Sequence, residues 1–93
     1  MNINDLIARK RDEIAAKLAE RAKHVTELAE IRSKTEVTEA DEARVTELRS
    51  LNSTIDAEVN SLEVKVAEYE AERAADDAAT ARANVVVPGA VSP

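Results

Sequence analysis

The sequence contains no cysteine, phenylalanine or tryptophan, and it has one tyrosine, one glycine and two prolines. Without cysteine, neither a disulfide framework nor a thiolate metal site can form. Aromatic side chains supply much of the buried area of a compact core, so their near absence argues against an ordinary globular domain. No apolar run is long enough for a signal peptide or a membrane span.

What is present is charge and helix-forming residues. Of the 93 residues, 34% are charged and 44% hydrophobic, and the formal net charge is −6. Such a composition with helical periodicity is typical of a coiled coil or long helix. The acidic balance argues against direct binding of nucleic acid and against adsorption to anionic membranes. We therefore expect a protein partner, and the lack of an apolar run long enough for a signal peptide or membrane span predicts a site of action inside a cell.

Two helices are predicted, over about residues 5–34 and 39–83, with a turn over about 35–38. Thr38 and Asp41 have the spacing of a capping box, in which the hydroxyl and the carboxylate each accept a hydrogen bond from an otherwise unpaired backbone N–H at the helix start. Residues 84–93 change character, because β-branched Val85–Val87 are followed by Pro88 and Gly89. This end is predicted to be an extended linker.

The hydrophobic periodicity predicts an all-α fold, an antiparallel helical hairpin or coiled coil with a flexible C-terminal linker. A reversal centred on Glu36 and Val37 opposes apolar residues in most layers and places Arg21 opposite Asn52 as a polar layer. A parallel dimer of the second helix and a single rod are the alternatives. The predicted hairpin seam consists of Ile7, Ile14, Leu18, Val25, Leu28, Val45, Leu48, Ile55, Val59, Leu62 and Val66.

A column of small residues, Ala8, Ala15, Ala22 and Ala29, repeats every seven positions of the first helix. Small side chains let another helix approach closely, so this column is predicted to pack against a further partner. Lys10, Lys17 and His24 form a basic column elsewhere on the first helix, balanced by the neighbouring column of Glu13, Glu20 and Glu27, and it is interpreted as part of a solvated helix face.

No catalytic, cofactor-binding or metal-binding residue is predicted. His24 has no converging ligands, and the chain carries no phosphate loop, nucleophile elbow or zinc spacing. We expect a protein that is not an enzyme and needs no cofactor.

The order of segments resembles a known family. A charged helix, the Thr-led acidic restart EVTEADEARVTEL, the heptad helix LNSTIDAEVNSLEVKVAEYEAERA and a Pro/Gly linker are similar to the N-terminal scaffolding segment, or delta domain, of tailed-phage major capsid proteins with the HK97 fold. The resemblance covers nearly the whole chain. It is based on the order of the segments and on the heptad periodicity of apolar residues, and it includes no invariant motif.

The resemblance implies a function and partners. In that family the segment precedes the capsid body, lies inside the immature shell, promotes procapsid assembly and is removed by a prohead protease. The implied partners are other capsid subunits and the protease, with the portal as a further candidate. The implied location is the host cytoplasm and then the capsid interior. Exposed backbone between Ala74 and Pro93 is the predicted processing region. A stand-alone coiled-coil adaptor or chaperone remains the alternative.

Overall fold

The computed structural model describes the backbone of residues 1–91 and the side chains of residues 1–83. It contains two helices, α1 (Ile3–Arg32) and α2 (Glu39–Val91), and no strand within the described residues. The helices lie side by side, joined by a short connection over residues 33–38, in a molecule measuring 85 × 19 × 17 Å. The predicted all-α antiparallel hairpin is confirmed.

Helix α1 begins and ends two residues earlier than predicted. Asn2 is the N-cap: its side-chain oxygen accepts from the Asp5 N–H at 2.9 Å, and the Asp5 carboxylate accepts from the Asn2 N–H at 3.2 Å. At the other end the Ser33 hydroxyl donates to the Glu30 carbonyl at 2.8 Å. Such local side-chain bonds compete with continued helix, which accounts for the end of α1 at Arg32.

Helix α2 begins at Glu39, as predicted. The Asp41 N–H donates to the Thr38 hydroxyl at 3.1 Å, and the Asp41 carboxylate accepts from the Thr38 N–H at 3.0 Å, which completes the capping box. The Lys34 ammonium also binds this carboxylate, at 2.7 Å. Lys34 and Thr38, which lie near the two ends of the connection, therefore both bind Asp41 in the first turn of α2.

Helix α2 continues to Val91, past the end predicted near Ala83. The Ala-rich stretch before residue 84 has a high helix propensity. The helix continues from it into the segment that was predicted to be an extended linker. Pro88 lacks a backbone N–H, so one helical hydrogen bond is missing there. Ser92 and Pro93, the last residues of the predicted linker, lie outside the described residues.

Candidate functional site

The seam between the helices follows the predicted heptads on the α2 side. Leu48 is fully buried, with 0% of its surface exposed, and Asn52, Ile55 and Val59 are also buried. The predicted seam residues Val45, Leu62 and Val66 are half-buried. The spacing of alternately three and four residues therefore identified the inner face of α2 correctly.

On α1 only one of the two predicted columns lies in the seam. Ile7 and Leu28 are buried and Ile14 is half-buried. Leu18 and Val25, the other predicted column, are 46% and 47% exposed, so their assignment to the seam was wrong. The column that replaces them lies one residue earlier in each heptad and consists of Ile3, Lys10, Lys17, His24 and Ile31.

This register is favoured by the packing beside the turn. Leu28, Ile31 and Leu48 form the buried apolar cluster, and Val45 packs against it. Rotating α1 to bury Val25 would turn Ile31 away from this cluster. Lysines can occupy the replacement column because their aliphatic stems cover apolar surface while the ammonium groups reach water. The sequence does contain an indication of this register, because Ile31 lies seven residues after His24 and so on the same side of α1.

The polar layer pairs Asn52 with His24 and not with Arg21. The His24 Nδ1 and the Asn52 Oδ1 are 2.8 Å apart, and the two residues are 8% and 7% exposed. His24 therefore lies in the core, although the sequence placed it on a solvated face. Its Nε2 lies 3.3 Å from a Glu20 carboxylate oxygen, one helical turn earlier. The pairing along α1 is shifted by three residues from the predicted one.

Arg21 lies beside this layer and binds α2 in another way. Its guanidinium donates to both carboxylate oxygens of Asp56, at 2.7 and 3.3 Å. This hydrogen bonding, with the charge of Asp56, raises the pKa of Arg21. The bidentate pair gives a geometric preference for one alignment of the helices.

Further ion pairs cross the seam on its flanks. Arg44 binds Glu27 through two nitrogens and Glu47 at 2.6 Å, and the bond from Arg44 is the main reason that the pKa of Glu27 is lowered. Lys17 binds Glu58 at 2.9 Å. Exposed pairs of this kind stabilise by roughly 0–1 kcal/mol each, so they set alignment more than stability.

At the end away from the turn, the contacts between helices are partly polar. Arg11 is paired with Glu70, and the Arg73 guanidinium donates to the Asn4 side-chain oxygen at 3.1 Å. Beyond Arg73, every residue from Ala74 to Ala83 is exposed. This part of α2 therefore extends past the start of α1 without a partner in the hairpin.

One face of the hairpin is left with exposed apolar groups. Leu18 and Val25 lie on α1 next to the predicted small-residue column, which is exposed along its length. The face continues across a groove of about 400 Å³ between the helices. Its lining residues are Arg21, Val25, Leu28, Arg32, Arg49, Asn52, Ser53 and Asp56. The opposite face carries the exposed apolar residue Leu51.

The described residues contain no cluster of three or more His, Asp or Glu side chains that could hold a metal ion, and none of their helices is both long and apolar enough to cross a membrane. No family model matches the chain, and neither the curated proteins nor the solved structures give a match.

Proposed function

We propose that this chain is an assembly scaffold, the N-terminal scaffolding segment of an HK97-fold tailed-phage major capsid protein. In this role it directs association of capsid subunits from inside the immature shell, within the host cytoplasm. A prohead protease then removes it. Its partners are other capsid subunits, the protease and the portal, and it has no catalytic activity of its own.

The observation that carries the proposal is the exposed apolar face on a hairpin with a partly polar seam. Leu18 and Val25 are nearly half exposed, whereas His24 and Asn52 occupy the core between the helices. A two-helix unit of this size has a small core and is stabilised by further contacts. Weak contacts repeated over many linked subunits add up to strong but reversible association, which is what a removable scaffold requires.

The unpartnered end of α2 supports the proteolytic step. Residues from Ala74 to Ala83 form a helix that is exposed on every side and lies beyond the last contact with α1. Helical turns without tertiary contacts open locally at little cost in free energy, and opened segments are preferred sites of proteolysis. The proposed processing region thus begins where the hairpin ends.

The test is assembly by the product of the complete gene. If its reading frame continues past Pro93 into a β-rich body, that product should form closed shells when expressed alone, and deletion of residues 1–93 should give no shells or aberrant ones. Co-expression with the cognate protease should shorten each subunit by up to 10.1 kDa, as measured by mass spectrometry of the particles. A gene that stops after Pro93 would overturn the fused scaffold and favour an adaptor.

A further inference from the structure

The exposed face of α1 has a pattern that is the same in both directions along the helix. Leu18 and Val25 flank Ala22, and the pattern ends in an arginine on each side. The spacing alternates between four and three residues, so these side chains share one side of the helix. The stripe consists of Arg11, Ala15, Leu18, Ala22, Val25, Ala29 and Arg32, all exposed.

We propose that a second copy of this chain covers this face in antiparallel orientation, with a two-fold axis at Ala22. A two-fold interface requires a surface that is complementary to itself, and the symmetric stripe meets this requirement. Leu18 of each copy packs on Val25 of the other, and the two Ala22 side chains meet at the axis. Small residues at the centre allow the two α1 helices to approach closely, forming a four-helix bundle.

The charges on the same face favour the antiparallel arrangement. Arg32 and Arg49 lie near the turn, and neither forms an ion pair among residues 1–83. Glu63 and Glu70 follow Arg49 at seven-residue multiples, so they lie on this side of α2 toward the other end. Antiparallel packing brings the end with Arg32 and Arg49 of one copy against the end with Glu63 of the other. Arg11, which then stands opposite Arg32, is neutralised by its pair with Glu70. Parallel packing would oppose like charges.

The size of the face predicts a weak dimer. The stripe from Arg11 to Arg32 is about 32 Å long at ~1.5 Å per residue, and the hairpin is 19 Å wide. Each copy would bury about 600 Å², or roughly 1,200 Å² in total, which is the lower limit for specific interfaces. Interfaces at this lower limit are typical of weak, transient association. The inference rests on the proposed scaffold role, since it names the occupant of the same surface.

The first test is sedimentation equilibrium of the 93-residue chain from micromolar to millimolar concentration. The wild-type chain should dimerise, and the double variant Leu18→Glu/Val25→Glu should bind itself roughly 100-fold or more weakly. The matched control is Leu51→Glu, which changes an exposed leucine on the opposite face and should leave dimerisation intact. Helicity by circular dichroism should stay unchanged in both variants.

The second test uses the absence of cysteine to establish orientation. In a mixture of Leu18→Cys and Val25→Cys chains, a short bismaleimide should link the two variants faster than it links either variant to itself. A monomer throughout the concentration range, a dimer unaffected by the glutamates, or preferential linking of like variants would overturn the proposal. Because both tests use the isolated chain, their failure is separate from failure of the shell-assembly test.

Discussion

Replacing the buried His24–Asn52 pair with two leucines should stabilise the hairpin. Both positions are more than 90% buried, and a fully buried leucine contributes about 1.5–3 kcal/mol. Loss of the hydrogen bond costs about 0.5–1.5 kcal/mol, and part of each native side chain already covers apolar surface. The expected gain is therefore about 1–3 kcal/mol, within the roughly 1–4 kcal/mol found when buried ion pairs are replaced by well-packed apolar residues.

The single substitutions should show that the two side chains act as a pair. Asn52→Leu leaves the His24 Nδ1 without its partner, and His24→Leu does the same to the Asn52 amide. An unsatisfied buried polar group costs about 1–3 kcal/mol, which offsets the gain from one leucine. Each single variant should therefore be close to wild type, and the coupling in the double-mutant cycle should be on the order of 1–2 kcal/mol.

The assay is thermal unfolding followed by circular dichroism, with light scattering to measure mass. For a chain of this size, 1 kcal/mol shifts the melting temperature by about 4–8 °C, so the double variant should melt at least several degrees higher. The control is Arg21→Leu/Asn52→Leu, which removes the Asp56 pair and leaves His24 without its partner. The reasoning is refuted if this control is the more stable variant or if the single substitutions are additive.

Three further predictions concern the turn end and can be followed by the same melting experiment. Leu48→Ala should cost about 2–5 kcal/mol, whereas Leu51→Ala, at a 40% exposed position, should change stability by about 0.5 kcal/mol or less; equal effects would contradict the burial pattern. Thr38→Ala should lower stability by about 1 kcal/mol through loss of the cap, and an unchanged melting temperature would contradict the capping box. The hydrogen bonds from Lys34 and from the Thr38 backbone lower the pKa of Asp41 from 3.8 to about 2. A lowered carboxyl pKa stabilises the folded state above the unfolded value and loses that contribution as the pH falls through the folded value. The melting temperature should therefore fall more steeply between pH 4 and pH 2 in wild type than in Asp41→Asn, and parallel curves would contradict it.

The sequence predicted α2 and the turn more accurately than α1. In α2 one polar residue, Asn52, interrupts a run of Val, Leu and Ile at heptad spacing, so only one inner face is consistent with the pattern. The start at Glu39 followed from Thr38 and Asp41, because capping depends on residues three positions apart. A capping box involves only residues close together in the sequence, so it can be predicted without knowing the partner helix.

The seam of α1 could not be chosen from apolarity alone. Two columns one residue apart compete for the inner position, and the column with Leu18 and Val25 has its apolar residues near the middle of the helix. The alternative column has isoleucines only at its ends, with lysines and His24 between them. What decides between them is the partner helix, which offers Asn52 to His24 and apolar packing to Ile31.

Identifying the exposed apolar face also depended on which column of α1 lies in the seam. The alanine column was predicted to pack against a further partner, but Leu18 and Val25 were assigned to the hairpin itself. With α1 in its observed register, those two side chains join the alanines on the outside. A single-residue shift thus converts a plain small-residue column into an apolar face with bulky groups at its centre.

High salt should loosen one end of the hairpin before the other. Beside the turn the helices meet through buried Leu28, Ile31 and Leu48. At the far end Arg11–Glu70 and Arg73–Asn4 link the helices, and most of the apolar residues nearby are only half-buried. Salt at 1 M shortens the screening length to about 3 Å, which weakens the Arg11–Glu70 pair at the far end and the Arg44–Glu27 pair near the turn alike. Apolar burial is left intact, so the turn end keeps more of its stabilisation.

Hydrogen exchange at 0.05 and 1 M sodium chloride measures this difference along the chain. Amides near residues 3–14 and 62–73 should exchange several-fold faster at high salt, because local opening becomes less costly there. Amides near residues 28–31 and 45–48 should change little. Sodium sulfate is the control, since it also screens charge but strengthens apolar burial, and it should protect the turn end further. A uniform increase along both helices would show that the hairpin opens as one unit, which would contradict a seam whose turn end depends more on apolar burial than its far end.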